Sequence, residues 1–283
     1  MQIQPQTSTN GHHPTAPRIR VFDTWVHAVD RRSAAERLGA FFQEGRPRQV
    51  VTVNLDFLRI AKTLPQFNQI INGADLAVPD GAPLVWIAHY LGLGTCERVT
   101  GPDLIEACAA LSAEHGYRMF LLGAGPGVAE QAASVLEERF PGAQVCGAYS
   151  PPEYAYPFPA ALDDEIVSRV KAARPDALFV AFGCPKQDLW IHDHRETLGV
   201  PVSIGVGGSF NFLNGTVARA PRPMQRLGLE WMHRLYSEPR RLWRRYLLQD
   251  APFAGRLLLA ETARRMRLTR KDTLELEVAG YGE

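Results

Sequence analysis

The sequence predicts an α/β protein: a Rossmann-like, mostly parallel sheet with helices on both faces, followed by a basic helical appendage. Two observations carry that prediction. Short apolar runs alternate with helical patterns from about residue 19 to residue 215, which calls for βαβ units and a sheet covered on both sides. Beyond residue 218 the alternation stops and arginine accumulates. Residues 219–271 hold 14 Lys and Arg against 4 Asp and Glu, whereas residues 1–218 hold 17 against 22. The length of 283 residues, 46% of them hydrophobic, leaves ample material for one large core.

The elements follow in order. RIRVFDTWVHAV (18–29) is extended, rich in Val and aromatics. Ser33 stands three residues ahead of Glu36, a capping box for a helix running through Phe42. QVVTVN (49–54) is a buried strand followed by the helical DFLRIAKTL; DLAVPD (75–80) is the next strand, followed by the helix APLVWIAHYL. RMFLLGA (118–124) leads through a glycine turn into GPGVAEQAASVLEERF. QVCGAYS, a Pro-rich loop (151–159), the helix LDDEIVSRVKAA, ALFVAFGC (177–184), the helix KQDLWIHDHRETL and PVSIGVG (201–207) complete the series. The predicted organisation is a disordered tail (1–17), the α/β core (18–218), the appendage (219–270) and an acidic tail (271–283).

Composition excludes several classes. Cys96, Cys108, Cys146 and Cys184 are scattered without a CxxC pair, so neither a disulfide framework nor a zinc site is expected. Residues 1–17 lack the apolar stretch of a secretory signal. No run of 18 apolar residues is long enough to span a bilayer. The expected setting is cytoplasmic, with no metal and no bound cofactor.

In parallel α/β sheets ligands bind outside the carboxyl ends of the strands, and there the polar and glycine clusters fall: Thr52 and Asn54, Asp80 and Gly81, Gly123 to Gly127, Gly183 to Gln187, and Gly205 to Asn211. GAGPG, with Gly123, Gly125 and Gly127, offers backbone N–H groups at a helix start to a phosphate. It lacks the G-x-G-x-x-G spacing of nicotinamide enzymes. Asp80 suits two roles, the N-cap of the helix near Pro83 and a general base for a hydroxyl. Arg98 precedes a helix opened by Gly101, Pro102 and Asp103 and suits a diphosphate. Lys186 and Gln187 open a helix after Gly183; a Lys opposing the helix dipole finds its reason in an anionic ligand. Gly207 completes the nucleotide-binding set. In the basic block, Leu242, Trp243, Tyr246 and Leu247 recur at helical spacing among Arg240, Arg241, Arg244 and Arg245. That pattern fits an interfacial membrane helix. It also fits a helix packed on the core with a solvated Arg face, or, less well, a nucleic-acid arm.

Taken together, TVNLDFL (52–58), GADLAVPDGAPLVW (73–86), ERVTGPDL, LLGAGPG, PDALFVAFGCPKQDLW (175–190), GVGGSFNFLNGTVARAP (205–221) and GLEWMHRLYSEPRRLWRRY (228–246) resemble the WecG/TagA/CpsF family of bacterial glycosyltransferases (family 26). The resemblance implies an inverting, metal-independent transfer from a UDP-sugar to a polyprenyl-diphosphate-linked saccharide at the cytoplasmic membrane face, in surface polysaccharide biosynthesis. It implies Asp80 as base, Thr52, Asn54, Arg98 and Gln187 as site residues, and an Arg-rich appendage that docks on an anionic membrane. Arg219, Arg222, Arg234, Arg240, Arg241, Arg244 and Arg245 are the arginines expected to meet diphosphate or lipid. No nucleic-acid partner is expected, and homo-oligomerisation is left open. Two positions depart from the family pattern: Asn211 where Asp is expected, and Asp188 where Glu is expected. Asn211 motivates the alternative of a non-catalytic nucleotide-sugar-binding module.

Overall fold

Strands apolar on both faces must be covered on both faces, and this chain does so with helices returning each strand to the same edge. The computed structural model describes residues 17–90, 97–260, 262 and 263. The first two strands, β1 (Arg18–Val21) and β2 (Thr24–His27), pair antiparallel by themselves. The next six, β3 (Arg48–Val53), β4 (Leu76–Pro79), β5 (Arg118–Gly123), β6 (Gln144–Tyr149), β7 (Ala177–Ala181) and β8 (Val202–Gly205), form one parallel sheet in the order β4-β3-β8-β7-β5-β6. The predicted fold class holds.

The period-2 alternation divides the core. Val50, Val78, Leu121, Phe179 and Ile204 point to one face, beneath α1 (Arg31–Glu44), α5 (Gly101–His115), α6 (Val128–Arg139) and α9 (Ser209–Leu213). Val51, Val53, Ala77, Leu122 and Val180 point to the other. That face is covered by α2 (Leu55–Thr63), α3 (Pro65–Gly73), α4 (Ala82–Tyr90), α7 (Ala160–Ala173) and α8 (Lys186–Leu198).

Three local expectations change. The 18–29 segment is not a strand of the main sheet but a hairpin, turning at Phe22 with φ 57° and lying against β4. There the ring of His27 accepts the Ala77 N–H at 2.9 Å. Burial and the neighbouring Arg18 and Arg37 lower the His27 pKa to about 3, so the ring stays neutral and keeps a lone pair for that bond. Helix α1 starts earlier than the Ser33 cap predicts. Asp30 is the N-cap and accepts the Ser33 N–H at 2.7 Å, because Asp caps as well as Ser and gains an extra turn. Finally, α3 was not expected at all; Pro65 at its first position, where a missing N–H costs nothing, separates it from α2.

The basic block is a chain of short helices rather than one long one. They are α10 (Arg222–Arg226), α11 (Glu230–Ser237), α12 (Pro239–Trp243), a π-helical stretch Arg244–Asp250 and a helical segment 251–260. Gly228, in a left-handed conformation at φ 72°, and Pro239 mark two of the breaks. Leu257 is fully buried among α2, α3 and α4 side chains, and Phe253 packs on Phe22 at 5.8 Å. Arg59 reaches Asp250 at 3.3 Å, and Arg245 lies 3.7 Å from Asp56. The appendage is thereby fastened to the α2 side of the core.

One glycine illustrates how tightly the strand ends meet. Gly123 has φ 103°, and a Cβ there would come within 2.9 Å of the Ala181 backbone carbon. Backbone cannot step aside as a side-chain tip can. Gly123→Ala should cost about 1–3 kcal/mol, read as a lower urea midpoint at unchanged denaturant slope.

Candidate active site

The register brings the strand ends to one rim. Val53 pairs with Pro79, Val51 with Gly205, Val180 with Gly205, and Gly123 with Ala181. Asn54, Asp80, Gly123, Gly183 and Gly207 therefore all leave the sheet on the same side. With neighbouring strands about 4.8 Å apart, the three spacings between β4 and β7 amount to roughly 14 Å.

Asp80 stands at the end of β4, its N–H donated to the Val53 carbonyl at 2.8 Å. The first turn of α4 closes on the Gly81 carbonyl, and the Asp80 carboxylate accepts no hydrogen bond from the described residues. Of the two roles open to it, the cap is not the one it fills. Burial lifts its pKa to about 7; Arg98 and Arg234 oppose that lift, while Glu230 and Asp103 add to it. A carboxyl poised near neutrality and free of partners is suited to accept a proton.

The charge of Arg98 acts on Asp80 because Val99 N–H bonds the Pro79 carbonyl at 2.9 Å, which lays residues 97–100 beside the end of β4. Its guanidinium is paired with Glu230 of α11 at 2.5 Å. Arg219 bonds Asp103 at 2.8 Å and Thr100 at 3.3 Å. Burial pushes the Asp103 carboxyl up, but the Thr100 and Arg219 hydrogen bonds outweigh it and leave the pKa lowered. Arg234 lies over the Phe212 ring at 4.9 Å, with a terminal nitrogen 3.7 Å from where a Gly208 Cβ would sit. Its Nε is buried without a hydrogen-bond partner.

The other named residues take different places. Thr52 is buried, its hydroxyl donated to the Gly205 carbonyl at 3.0 Å. Asn54 caps α2 through its side-chain oxygen, 3.2 Å from the Phe57 N–H, with its Cβ against Gly81. Gln187, expected to touch sugar or nucleotide, is only 1% exposed. Its amide oxygen accepts the N–H groups of Gly183 at 3.2 Å and Gly207 at 2.9 Å. It lies beneath the rim and ties two of its loops together, since a residue at that depth reaches backbone before ligand. Lys186 turns toward the Pro-rich loop, bonding the Tyr154 carbonyl at 3.2 Å. Gly125 and Gly127 lie in the turn before α6, where Gly127, left-handed at φ 73°, is the N-cap. Asn211 lies part-buried in α9, its carbonyl taken by Val217 N–H at 2.9 Å. Arg245 contacts the Tyr246 hydroxyl at 3.2 Å. Arg240 and Arg244 are exposed, and the side chains of Arg222 and Arg241 lie outside the described residues.

Sequence reasoning missed Glu230 and Asp103 as partners of the rim arginines. The available signal was Glu230 itself, a lone acid in a basic stretch. Likewise Asp163, in the first turn of α7, accepts the buried Trp190 indole N–H at 2.7 Å. Among the described residues no group of three His, Cys, Asp or Glu stands ready to hold a metal ion, and no helix is long and apolar enough to cross a membrane.

The model of the Glycosyl transferase WecG/TagA/CpsF family matches residues 19–267. The chain belongs to that family. It is similar to the N-acetylglucosaminyldiphosphoundecaprenol N-acetyl-beta-D-mannosaminyltransferase of Bacillus spizizenii (strain ATCC 23059 / NRRL B-14472 / W23), 31% identical over 208 residues that cover 73% of this chain and 77% of that protein. A protein of the same name from Staphylococcus aureus (strain MW2) is 31% identical over 195 residues, covering 69% and 74%. Within this family member, the rim assembles a carboxyl without a hydrogen-bond partner, arginines from the core loop and the appendage, and the exposed Gly125–Gly127 turn beside the part-buried turns at Gly183 and Gly207.

Asp188 is the second unusual carboxyl. It is fully buried beneath Gly205, and neither oxygen finds a hydrogen-bond partner. Burial raises its pKa to about 7, which the neighbouring Gln187 side chain offsets only in part. A folded-state pKa above the unfolded value of about 3.9 means that the folded form binds the proton more tightly. Stability is then lost as pH rises from about 4 to 7. Asp188→Asn removes the charge and should remove that component, so the variant gains on the parent between pH 5 and pH 8 in urea midpoints. Parallel pH dependence of the two proteins would discount a strained Asp188 charge.

Proposed function

We propose that the protein is an inverting glycosyltransferase, moving a hexose or N-acetylhexosamine-type sugar from a UDP-sugar to a polyprenyl-diphosphate-linked saccharide in bacterial surface polysaccharide biosynthesis. The observation that carries this reading is the unbonded Asp80 carboxyl at the end of β4, flanked by Arg98 and Arg234. The names of the Bacillus and Staphylococcus relatives, which specify a diphosphoundecaprenol-linked N-acetylglucosamine acceptor and an N-acetylmannosaminyl group, support the choice of acceptor class.

In the proposed reaction Asp80 takes the proton of the acceptor hydroxyl as that oxygen bonds to the anomeric carbon. The bond from that carbon to the diphosphate breaks, and UDP departs with the electron pair. Negative charge then grows on the diphosphate and must be met by groups already in place. Arg98 and Arg234 are the side chains whose charge acts at Asp80, with Arg219 beside them on Asp103 and Glu230, and the N–H groups of the Gly123–Gly127 and Gly207 turns can serve the phosphates or nucleotide farther along the rim. The span of roughly 14 Å from β4 to β7 suits an elongated donor lying across the strand ends. Gln187 and Thr52 act through the loops they hold, and Asn54 caps α2 beside Gly81.

The appendage is proposed to rest on an anionic membrane at the cytoplasmic face. Met232, Tyr236, Trp243, Leu247, Leu248 and Leu259 are all more than 40% exposed, and Arg240 and Arg244 stand exposed in the same stretch. Exposed large apolar side chains interspersed with arginine suit the headgroup boundary of a bilayer.

Two measurements test this. General-base assistance contributes about 10²–10⁴-fold, so Asp80→Asn should depress UDP release by at least that factor with UDP binding retained. With Asp80 titrating near pH 7 and active when deprotonated, kcat/KM should fall below about pH 7. Near-normal turnover by the Asn variant removes Asp80 from the mechanism, and UDP binding without turnover on any donor favours a binding module. In flotation at physiological salt, the protein should rise with vesicles containing phosphatidylglycerol. Trp243→Ala combined with Leu247→Ser and Leu248→Ser should leave it in the dense fraction.

A further inference from the structure

Glu230 opens α11 and is the sole acid between Arg219 and Ser237. An acid at the start of a helix is favoured by the helix dipole, but that preference is satisfied in water. Here the side chain is only 11% exposed, held between two arginines from different parts of the chain. One carboxylate oxygen meets Arg98 of the core loop at 2.5 Å, and the other lies 3.8 Å from Arg219. Arg219 is itself bonded to Asp103 and Thr100, at the start of α5. Burying a carboxylate is costly unless it is paired in good geometry, so this pairing fixes where the helix can sit.

The consequence is felt one turn further on. Residues four apart share a helix face, and the fourth residue after Glu230 is Arg234. Arg234 reaches the Phe212 ring and the Gly208 turn, and its charge is felt at Asp80. Just before Glu230, Gly228 packs so closely on Ala82 and Trp86 of α4 that an added Cβ would come within 2.8 Å of each. That contact guides the chain into α11 but carries no charge. The Phe212 ring receives Arg234, and the Glu230 pairing is the ionic contact that places the start of α11 so that it can.

We propose that Glu230 is a positioning residue: its carboxylate clasps Arg98 and Arg219, and so holds α11 on the rim with Arg234 opposite Asp80. The part played in the reaction rests on the transferase reading above; the docking of α11 does not. The clasp also keeps Arg98 partly neutralised until an anionic substrate arrives, and it keeps a negative group near Asp80. The charged groups that act on Asp80 are Arg98 from the core loop, Asp103 from α5, and Glu230 and Arg234 from α11. Loss of the Glu230 charge alone leaves the arginines less opposed, which favours the ionised Asp80.

The test uses the full chain carrying Glu230→Gln and, separately, Glu230→Asp. Amide hydrogen exchange is followed over residues 230–237 without any ligand, with residues 118–123 of β5 as the reference. The Gln variant should exchange about tenfold faster or more in α11 while β5 is unchanged, as expected for a locally opened unit; the Asp variant, which keeps the charge, should return toward the parent. Unchanged α11 exchange in the Gln variant, or acceleration spread equally over β5, overturns the proposal. Where the parent turns over a UDP-sugar, the Gln variant should also show a lower kcat, restored toward the parent's value in the Asp variant, which keeps the charge that clasps Arg98 and Arg219. A kcat equal to the parent's in the Gln variant, or one lowered equally in the Asp variant, overturns the positioning role. Absence of turnover in the parent counts against the transferase reading and leaves the exchange result to decide the docking.

Discussion

A parallel sheet delivers the carboxyl end of every strand to one edge, and the chemistry available to this protein depends on that constraint. Asp80, Asn54, Gly207, Gly183 and Gly123 come from five segments spread over about half the chain. Pairing of Val53 with Pro79 and of Gly123 with Ala181 is what makes them neighbours along a single lip. A slip of one residue in any strand would turn its side chains to the opposite face. Buried residues on both faces hold β3, β4, β5, β7 and β8 against such a slip, while the edge strand β6 is only part-buried.

On that frame the appendage adds charge at one end. The charges of Arg98 and Arg234 act on the free carboxyl at β4, and the arginines of this end are in part answered by acids: Arg98 by Glu230, Arg219 by Asp103. Such an arrangement keeps the cations ordered without leaving them uncompensated in a partly buried place. It also separates two kinds of carboxylate by environment. Asp103, heavily hydrogen-bonded, stays ionised, whereas Asp80, without hydrogen-bond partners, is lifted toward neutrality. The same separation of acid strengths by surroundings underlies many acid and base assignments in enzymes.

Much of the frame was legible beforehand because its causes are local. The runs QVVTVN, ALFVAFGC and PVSIGVG are apolar on both faces, which only a doubly covered strand can use. The turn before α6 announces itself in GAGPG. Where the prediction departed, a local alternative of equal quality existed. Asp30 competed with Ser33 for the cap, and Pro65 started α3 in a stretch to which no element had been assigned. RIRVFDTWVHAV had strand chemistry, but no local signal says which sheet a strand joins.

The sequence by itself determined the alternation of strands and helices, the glycines and acids at the strand ends, and a basic segment set apart from the core. These follow from side-chain periodicity and charge counts, which need no partner to be read. Only the tertiary structure decided that Asp80 caps nothing, that Gln187 lies under the rim, and that Glu230 joins the appendage to Arg98. Each of those is a relation between residues distant in the chain, set by which buried polar groups find one another when the layers close.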